Sequence, residues 1–283
     1  MPTVREVIAY GTKILEENKI DNAGLDSRLL LMDLLGCNRH TLIKNSDKLI
    51  EENIVAQFFD CIERRKNHEP LQYITSYQEF MGLPFYVDRN VLIPRQDTEL
   101  IVEQLLDMDF GSQPNALEIG VGSGCIAISL LHFMKNLKMT ASDISREALE
   151  ITEKNAILNE CSDRISLVES DLFENIKKIQ YDFIVSNPPY ISKDEMKTLA
   201  PEVGLFEPNI ALTDNSDGLT FYRIIAKEAK QYLKNDGILA LEIGYDQGEK
   251  VMKILKGNQY ENIQLICDYN NKHRVIIATK GVE

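Results

Sequence analysis

The chain has 283 residues and a formal net charge of −13, with 44% hydrophobic and 27% charged residues. That length supports a full core in one large or two unequal domains, and the apolar content excludes disorder as the default. The acidity counts against duplex nucleic acid as the main partner, because affinity for phosphates needs clustered Lys and Arg.

Thr3 to Glu6 read as a capping box that opens an amphipathic helix, with Val4, Val7, Ile8, Ile14 and Leu15 on one stripe. A second helix is predicted over 25–35, ended by Gly36 just past its last turn. A third covers 51–66 with Ile54, Val55, Phe58, Phe59 and Ile62 inward, and stops before Pro70. Residues 1–70 are therefore expected to form a helical substrate-recognition domain without catalytic signature. From Leu71 the residues turn aromatic and β-branched: 72–80 and 83–87, around Met81-Gly82, predict a hairpin. Residues 90–95 follow as an extended linker, so 71–95 are assigned to hairpin and linker. Asp97 or Thr98 is placed as the cap of a helix carrying Leu100, Ile101, Leu105 and Leu106.

From Asn115 strand and helix signals alternate. Strands are predicted at 116–119, 138–141, 165–168 and 181–185, with one helix ending near His132 and another starting at Ser145. A long loop, a helix over 218–233, a strand over 237–243, a helix after Gln247 and strands near 263–267 and 274–279 complete the order. The expected fold class is α/β: a seven-stranded, doubly wound, Rossmann-like domain over 96–283, preceded by the small helical domain and the hairpin linker. The five cysteines are scattered without a C-x-x-C pair and the four histidines stand alone, so neither disulfides nor a metal site is expected. No run approaches the ~20 apolar residues of a bilayer span, and no basic-then-apolar leader is seen. No membrane partner, no direct nucleic-acid partner, a reducing cytoplasmic setting and a monomer are expected.

Two stretches carry chemistry. Glu118-Ile119-Gly120-Val121-Gly122-Ser123-Gly124 sits where the first strand of the sheet turns into its first helix. Glycines there let backbone approach a ligand, and the helix amides beyond offer donors. A dinucleotide fingerprint would need Gly at 125, where Cys125 stands, and the G-x-G-x-G spacing behind an acid suits S-adenosylmethionine better than NAD. Asp143, about 20 residues on, falls where a carboxylate takes ribose hydroxyls, or else serves as a helix cap shared with Ser145. Asp171 and Leu172 end the next strand, where an adenine edge would lie: Asp171 can accept from its amino group while Leu172 packs the ring, or else Asp171 forms an ordinary Asx turn. For Glu118 two readings stand: a partner for the ammonium end of the cofactor, or a buried carboxylate bonded to loop amides. Glu242 and Gln247-Gly248 are read as buttresses.

The second stretch is Asn187-Pro188-Pro189-Tyr190, closing the buried run 181–186. Two φ-locked prolines after a strand leave Asn187 few conformations, so its amide can present a fixed acceptor to the crevice. The Pro188 carbonyl is a second acceptor on a stiff loop, and Tyr190 adds a flat π face. Together they suit the grip of a planar NH2 group.

Pro70 to Ile74, Glu79-Phe80, Gly82-Leu83, Val91 to Arg95 with Asp97-Thr98-Glu99, Asn187 to Tyr190, Asp217-Gly218-Leu219, Phe221 to Arg223 and Leu241 to Gly244 resemble the HemK-type peptide chain release factor glutamine methyltransferases. The likeness runs over nearly the whole chain, with Gln96 in place of a usual Pro, Ser76 in place of Gly, and Asp214-Asn215 in place of a Gly pair. It implies methyl transfer from S-adenosylmethionine to the side-chain amide nitrogen of the Gln in the Gly-Gly-Gln motif of class I release factors. It implies further that Gly120 to Gly124 and Asp143 hold the methionine and ribose parts, that Leu172 lies by the adenine, and that Asn187 to Tyr190 hold the Gln. A glutamine of a ribosomal protein is the nearer rival substrate; an exocyclic amine of a flipped nucleic-acid base is a more distant one and would call for a basic face.

Overall fold

The computed structural model describes residues 1–281 and divides into two compact units, one made of Met1–Ser76 with Ala200–Phe206, the other of the remaining residues. In the first unit α1 (Val4–Glu17) opens on the expected capping box: Glu6 N donates to Thr3 Oγ1 at 3.3 Å and Thr3 N donates to Glu6 Oε2 at 2.8 Å. α2 (Ala23–Leu34) ends before Gly36, which takes a left-handed φ of 56°. α3 (Arg39–Lys44) is too short to show a period in the sequence, and is started by the Asn38 side chain accepting from Thr41 N at 2.9 Å. α4 (Glu52–Lys66) buries Phe58 and Ile62 with Leu15, Leu30 and Leu31 in one core.

The hairpin prediction needs correcting in its first half. Residues 71–75 form α5 (Leu71–Thr75), started by Pro70 at φ −54° and ended by Ser76 in the left-handed region at φ 54°. Five residues are too few for aromatic and β-branched enrichment to be told from a strand signal. In the second unit only β1 (Gln78–Phe80) and β2 (Leu83–Phe85) pair, Phe80 opposite Leu83. Met81 and Gly82 both have positive φ, the conformation a two-residue hairpin turn demands. The predicted cap at 97–98 is also corrected: Gln96–Thr98 is a 3₁₀ turn, and neither side chain caps α6 (Glu99–Leu106).

Next come β3 (Asn115–Ile119), α7 (Cys125–Phe133), β4 (Lys138–Asp143), α8 (Arg146–Leu158), β5 (Ile165–Glu169) and β6 (Tyr181–Ser186). A long loop holds α9 (Pro201–Phe206), which belongs to the helical unit, and α10 (Asn209–Leu212). α11 (Thr220–Glu228), β7 (Leu233–Glu242), α12 (Gly248–Gly257), β8 (Tyr260–Cys267) and β9 (His273–Lys280) complete the chain. The helix predicted over 218–233 is thus shorter, and β7 starts four residues before the predicted strand. Asn235-Asp236-Gly237 carries a turn signal, yet Leu233 already pairs with Tyr181.

The seven strands run in the order β5-β4-β3-β6-β7-β9-β8, the first five parallel and the last two antiparallel to their neighbours. Helices cover both faces, so β6 is apolar on both sides: Phe183 and Val185 join one core with Ile101 and Ala127, while Tyr181 and Ile184 join the other with Tyr222 and Val251. No helix among the described residues is long and apolar enough to cross a membrane.

Candidate active site

β3 and β6 lie side by side at the point where the strand order turns back, with Glu118 opposite Val185 and Ile119 opposite Ser186. The glycine loop and the Asn187 loop therefore leave neighbouring carboxyl ends, which is where open α/β sheets bind ligands. Ser186 Oγ donates to Ile119 O at 2.7 Å and ties the two ends together. Between them opens a cavity of about 300 Å³.

Its floor is the glycine loop. Gly120, Gly122 and Gly124 all have positive φ, and a Cβ built on Gly120 or Gly122 meets nothing within 4 Å, so bare backbone faces open space. The loop is splinted from behind: Thr152 Oγ1 donates to Gly122 O at 2.8 Å, and Asn155 Nδ2 donates to Ser123 O at 2.9 Å. Gly120 N and Val121 N donate to Ser142 O at 2.8 and 2.9 Å. Asp143 accepts from Gly122 N and Ser145 N, both at 2.9 Å, one on each oxygen, and still lines the cavity. Burial raises its pKa, and those backbone donors oppose the rise. The two sequence readings of Asp143 thus coexist, since each oxygen keeps a second lone pair.

Glu118 is 1% exposed, on the cavity wall. One oxygen is served by the Ala127 backbone N–H, while Oε2 has no hydrogen-bond partner among the described residues. Burial pushes its pKa well up, so the carboxyl keeps its proton unless a cation reaches that oxygen and favours the charged form. Asp171 and Leu172 also reach the wall; Leu172 sits at φ 47°, and the turn around it is held by Ser170 Oγ donating to Leu172 O at 3.0 Å.

Opposite lie Asn187, Pro188 and Pro189. Asn187 Nδ2 donates to Thr98 Oγ1 at 3.4 Å, leaving Oδ1 free to face the cavity. Tyr190 is not brought to the cavity wall: it packs with the Tyr222 core and its hydroxyl donates to Glu242 Oε1 at 3.4 Å. Gln247 Nε2 donates to Tyr190 O at 2.9 Å and to Gly218 O at 3.3 Å, so it buttresses the loop as read from the sequence. A Cβ on Gly218 would stand 2.3 Å from Tyr190 O, which only glycine avoids.

Other wall residues carry no periodic signal and were not singled out as site residues. Thr98, Arg95 and Leu92 come from the stretch read as linker and cap, Ile210 from α10 within the long loop, and Phe221 from α11. The Arg95 guanidinium is held by Glu207, which is 5% exposed. An Arg in a Pro-Arg-x-Asp-Thr run directly before a helix was the available signal.

Known proteins align with both parts of the chain. Residues 6–75 match the family model of the PrmC N-terminal domain, and 95–203 match that of the methyltransferase small domain. A release factor glutamine methyltransferase of Fusobacterium nucleatum is 42% identical over 281 residues, covering 98% of this chain and 79% of that protein. A protein of the same name from Clostridium acetobutylicum is 37% identical, covering 98% of this chain and 99% of its own. In a bifunctional methyltransferase of Rickettsia prowazekii, 40% identical, the match spans only 57% of that longer protein. Among solved structures, a methyltransferase from Pyrococcus furiosus aligns at TM-score 0.54 and 19% identity over 82% of this chain and 100% of its own, a likeness of fold. The N-terminal domain of human METTL16 aligns at TM-score 0.52 and 17% identity, over 88% of this chain and 91% of its own. The sheet alone is common property of many methyltransferases; the helical N-terminal part and 37–42% identity over 98% of the chain are not, and on them the chain belongs to the release factor glutamine methyltransferase family.

Proposed function

We propose that this protein transfers a methyl group from S-adenosylmethionine to the side-chain amide nitrogen of the Gln in the Gly-Gly-Gln motif of class I peptide chain release factors, in the cytoplasm. The observation that carries the reading is the single cavity shared by the glycine loop and Asn187, in a chain of this family. S-adenosylmethionine supplies, when bound, a methyl group already activated by its sulfonium. The glycine loop, Gly120 to Gly124 with Val121 and Ser123, takes the methionine part along its bare backbone. Asp143 turns its spare lone pairs to the ribose hydroxyls, and Asp171 and Leu172 meet the adenine. Glu118 Oε2 accepts from the ammonium end, which lets that buried carboxyl ionise.

An amide nitrogen is a poor nucleophile, because its lone pair is delocalised into the carbonyl. Asn187 Oδ1 and the Pro188 carbonyl accept from the two N–H groups of the substrate amide, draw density toward nitrogen and aim it at the methyl group. Positioning of this kind is worth about 7–11 kcal/mol in favourable cases. Pro189 stiffens the loop. Tyr190, expected to stack on the amide, instead anchors the loop through Glu242 in this structure. No strong base is required, since the proton can leave to water after transfer.

The test is incubation of the purified protein with labelled S-adenosylmethionine and a class I release factor, beside a release factor whose Gly-Gly-Gln glutamine is Ala. Label is expected on the intact factor and absent from the altered one. Equal label on both would overturn the substrate assignment.

A further inference from the structure

S-adenosylmethionine carries three charges at neutral pH: a positive sulfonium, a positive ammonium and one carboxylate. The two cations suit an acidic wall, and Glu118, Asp143 and Asp171 make this one acidic. A carboxylate left unpaired among them would be repelled and poorly solvated, so the same cavity has to offer it donors of opposite charge. The glycine loop does not. Gly120 N and Val121 N donate to Ser142 O, Gly122 N donates to Asp143 Oδ2, and Gly124 N donates to Val121 O. In the first turn of α7 the Ala127 N–H is given to Glu118, so a second anion at that helix end would compete with a carboxyl already there.

Arg95 is the one cation among the described residues of the wall. Its side chain is 41% exposed, and its partner Glu207 is buried to 1%. Among the described residues the guanidinium is hydrogen-bonded only to Glu207, through Nη2 to Oε1. A guanidinium has five N–H donors in a planar fork, so one corner is anchored and the remaining donors stay available to a ligand. Each partner lies beside a proline, Pro94 before Arg95 and Pro208 after Glu207, which stiffens the backbone that carries it. Burial raises the pKa of Glu207 and Arg95 opposes the rise, so the two charges hold one another in place. The pairing also suits the reaction. A bare guanidinium in the cavity would repel the sulfonium, whereas one offset from behind by Glu207 keeps its directional donors and little net charge.

We propose that Arg95, held from behind by Glu207, is the carboxylate-binding residue of the cofactor site: its remaining N–H donors take the carboxylate of S-adenosylmethionine while Glu118 takes the ammonium on the same carbon. The subsite rests on the cofactor reading given above. It gives the cavity a means of telling the whole amino-acid end from one that has lost its carboxylate, which an acidic wall alone would favour.

The experiment is calorimetric titration with two probes, S-adenosylhomocysteine and its decarboxylated form, which keeps the ammonium and has hydrogen in place of the carboxylate. Wild type is compared with Arg95→Lys and with the double variant Arg95→Gln/Glu207→Gln, in which no buried charge is left without a partner. Wild type is expected to bind S-adenosylhomocysteine about tenfold to a hundredfold more tightly than the decarboxylated probe, the usual range for hydrogen bonds to a charged group. The double variant should lose that preference through weaker binding of S-adenosylhomocysteine alone, with affinity for the decarboxylated probe kept within about twofold. Arg95→Lys, which keeps the charge and loses the fork, should retain part of the preference. Equal losses on both probes would make Arg95 and Glu207 a structural tie and overturn the subsite. So would an unchanged preference in the double variant, or a wild type that binds both probes alike; in either case the cofactor reading stands. A wild type that binds neither probe overturns the cofactor reading and the subsite with it. If the preference depends on Arg95 as described while release factors remain unmethylated, the subsite stands and the substrate assignment falls.

Discussion

At the scale of single residues, the acceptor pair makes the sharpest demand. Asn187→Ala removes one acceptor but leaves the glycine loop, Asp143 and Leu172 untouched, because among the described residues its side chain is hydrogen-bonded only to Thr98. Turnover on a release factor is expected to fall by about 10²–10³, the usual range for one preorganised group facing the transition state. Calorimetric affinity for S-adenosylhomocysteine should stay within about twofold; a parallel loss of both would move Asn187 from acceptor to scaffold. Glu242 raises a different issue, one of stability. Its folded-state pKa is raised from the ordinary value of 4.5 to about 7, so between those values the native state binds more protons than the unfolded chain. Stability from this group therefore falls as pH rises through that window and stays low above it, by on the order of 3 kcal/mol in all. Glu242→Gln should then be more stable than wild type at pH 8, with the gap closing toward pH 5. Denaturant midpoints at the two pH values measure it; equal midpoints at pH 8 would mean that Arg274 already neutralises the carboxylate.

At the scale of elements, what the sequence could and could not reveal follows from length and period. β6 and the strands beside it were readable because short apolar runs, Phe183 to Val185 in β6 and Ile238 to Leu241 in β7, next to turn-forming prolines or glycines have few other uses. α3 and α5, with six and five residues, are shorter than two helical turns and leave no period to detect. The glycine loop and the Asn187 loop were readable as motifs because backbone approach and φ-locking each restrict residue type. Thr98 was taken for a cap because Thr before a helix normally caps it; tertiary context gives its hydroxyl to Asn187 instead. The departures from the family pattern have separable outcomes. At 214–215 the change is absorbed: Asp214 accepts from Ser216 N, Gly218 N and Thr220 N, and Asn215 tolerates a φ of 55°. At Ser76 it is not, since a Ser at φ 54° pays the left-handed penalty that Gly escapes. Ser76→Gly is expected to stabilise the protein by about 1 kcal/mol, less the added entropy of the unfolded chain, and to raise Tm without changing kcat. A lowered Tm would show that the Ser side chain contributes more than its backbone costs.

At the scale of the whole molecule, the order of the seven sheet strands along the chain was legible, but the return of the chain to its first unit was not. α9 follows the acceptor loop in sequence and yet belongs to the helical unit, through an ion-pair hub that no local pattern announces. Arg65, 7% exposed on α4, donates to Asp26 Oδ2 of α2 at 2.7 Å and to Glu202 Oε1 of α9 at 3.3 Å. Burial raises the Asp26 pKa and Arg65 opposes the rise, so each charge in this hub depends on the others for its place. A charge so enclosed is costly to orphan and cheap to replace. Arg65→Ala should therefore destabilise the helical unit by about 3–5 kcal/mol, because Asp26 is left uncompensated. Arg65→Leu combined with Asp26→Asn and Glu202→Gln should recover most of that loss, since no buried charge remains and the volume is kept. Urea unfolding followed through the helical signal distinguishes the cases. If the triple variant is as unstable as Arg65→Ala, the hub acts through its specific hydrogen-bond geometry, and the docking of α9 on α2 and α4 requires the guanidinium itself.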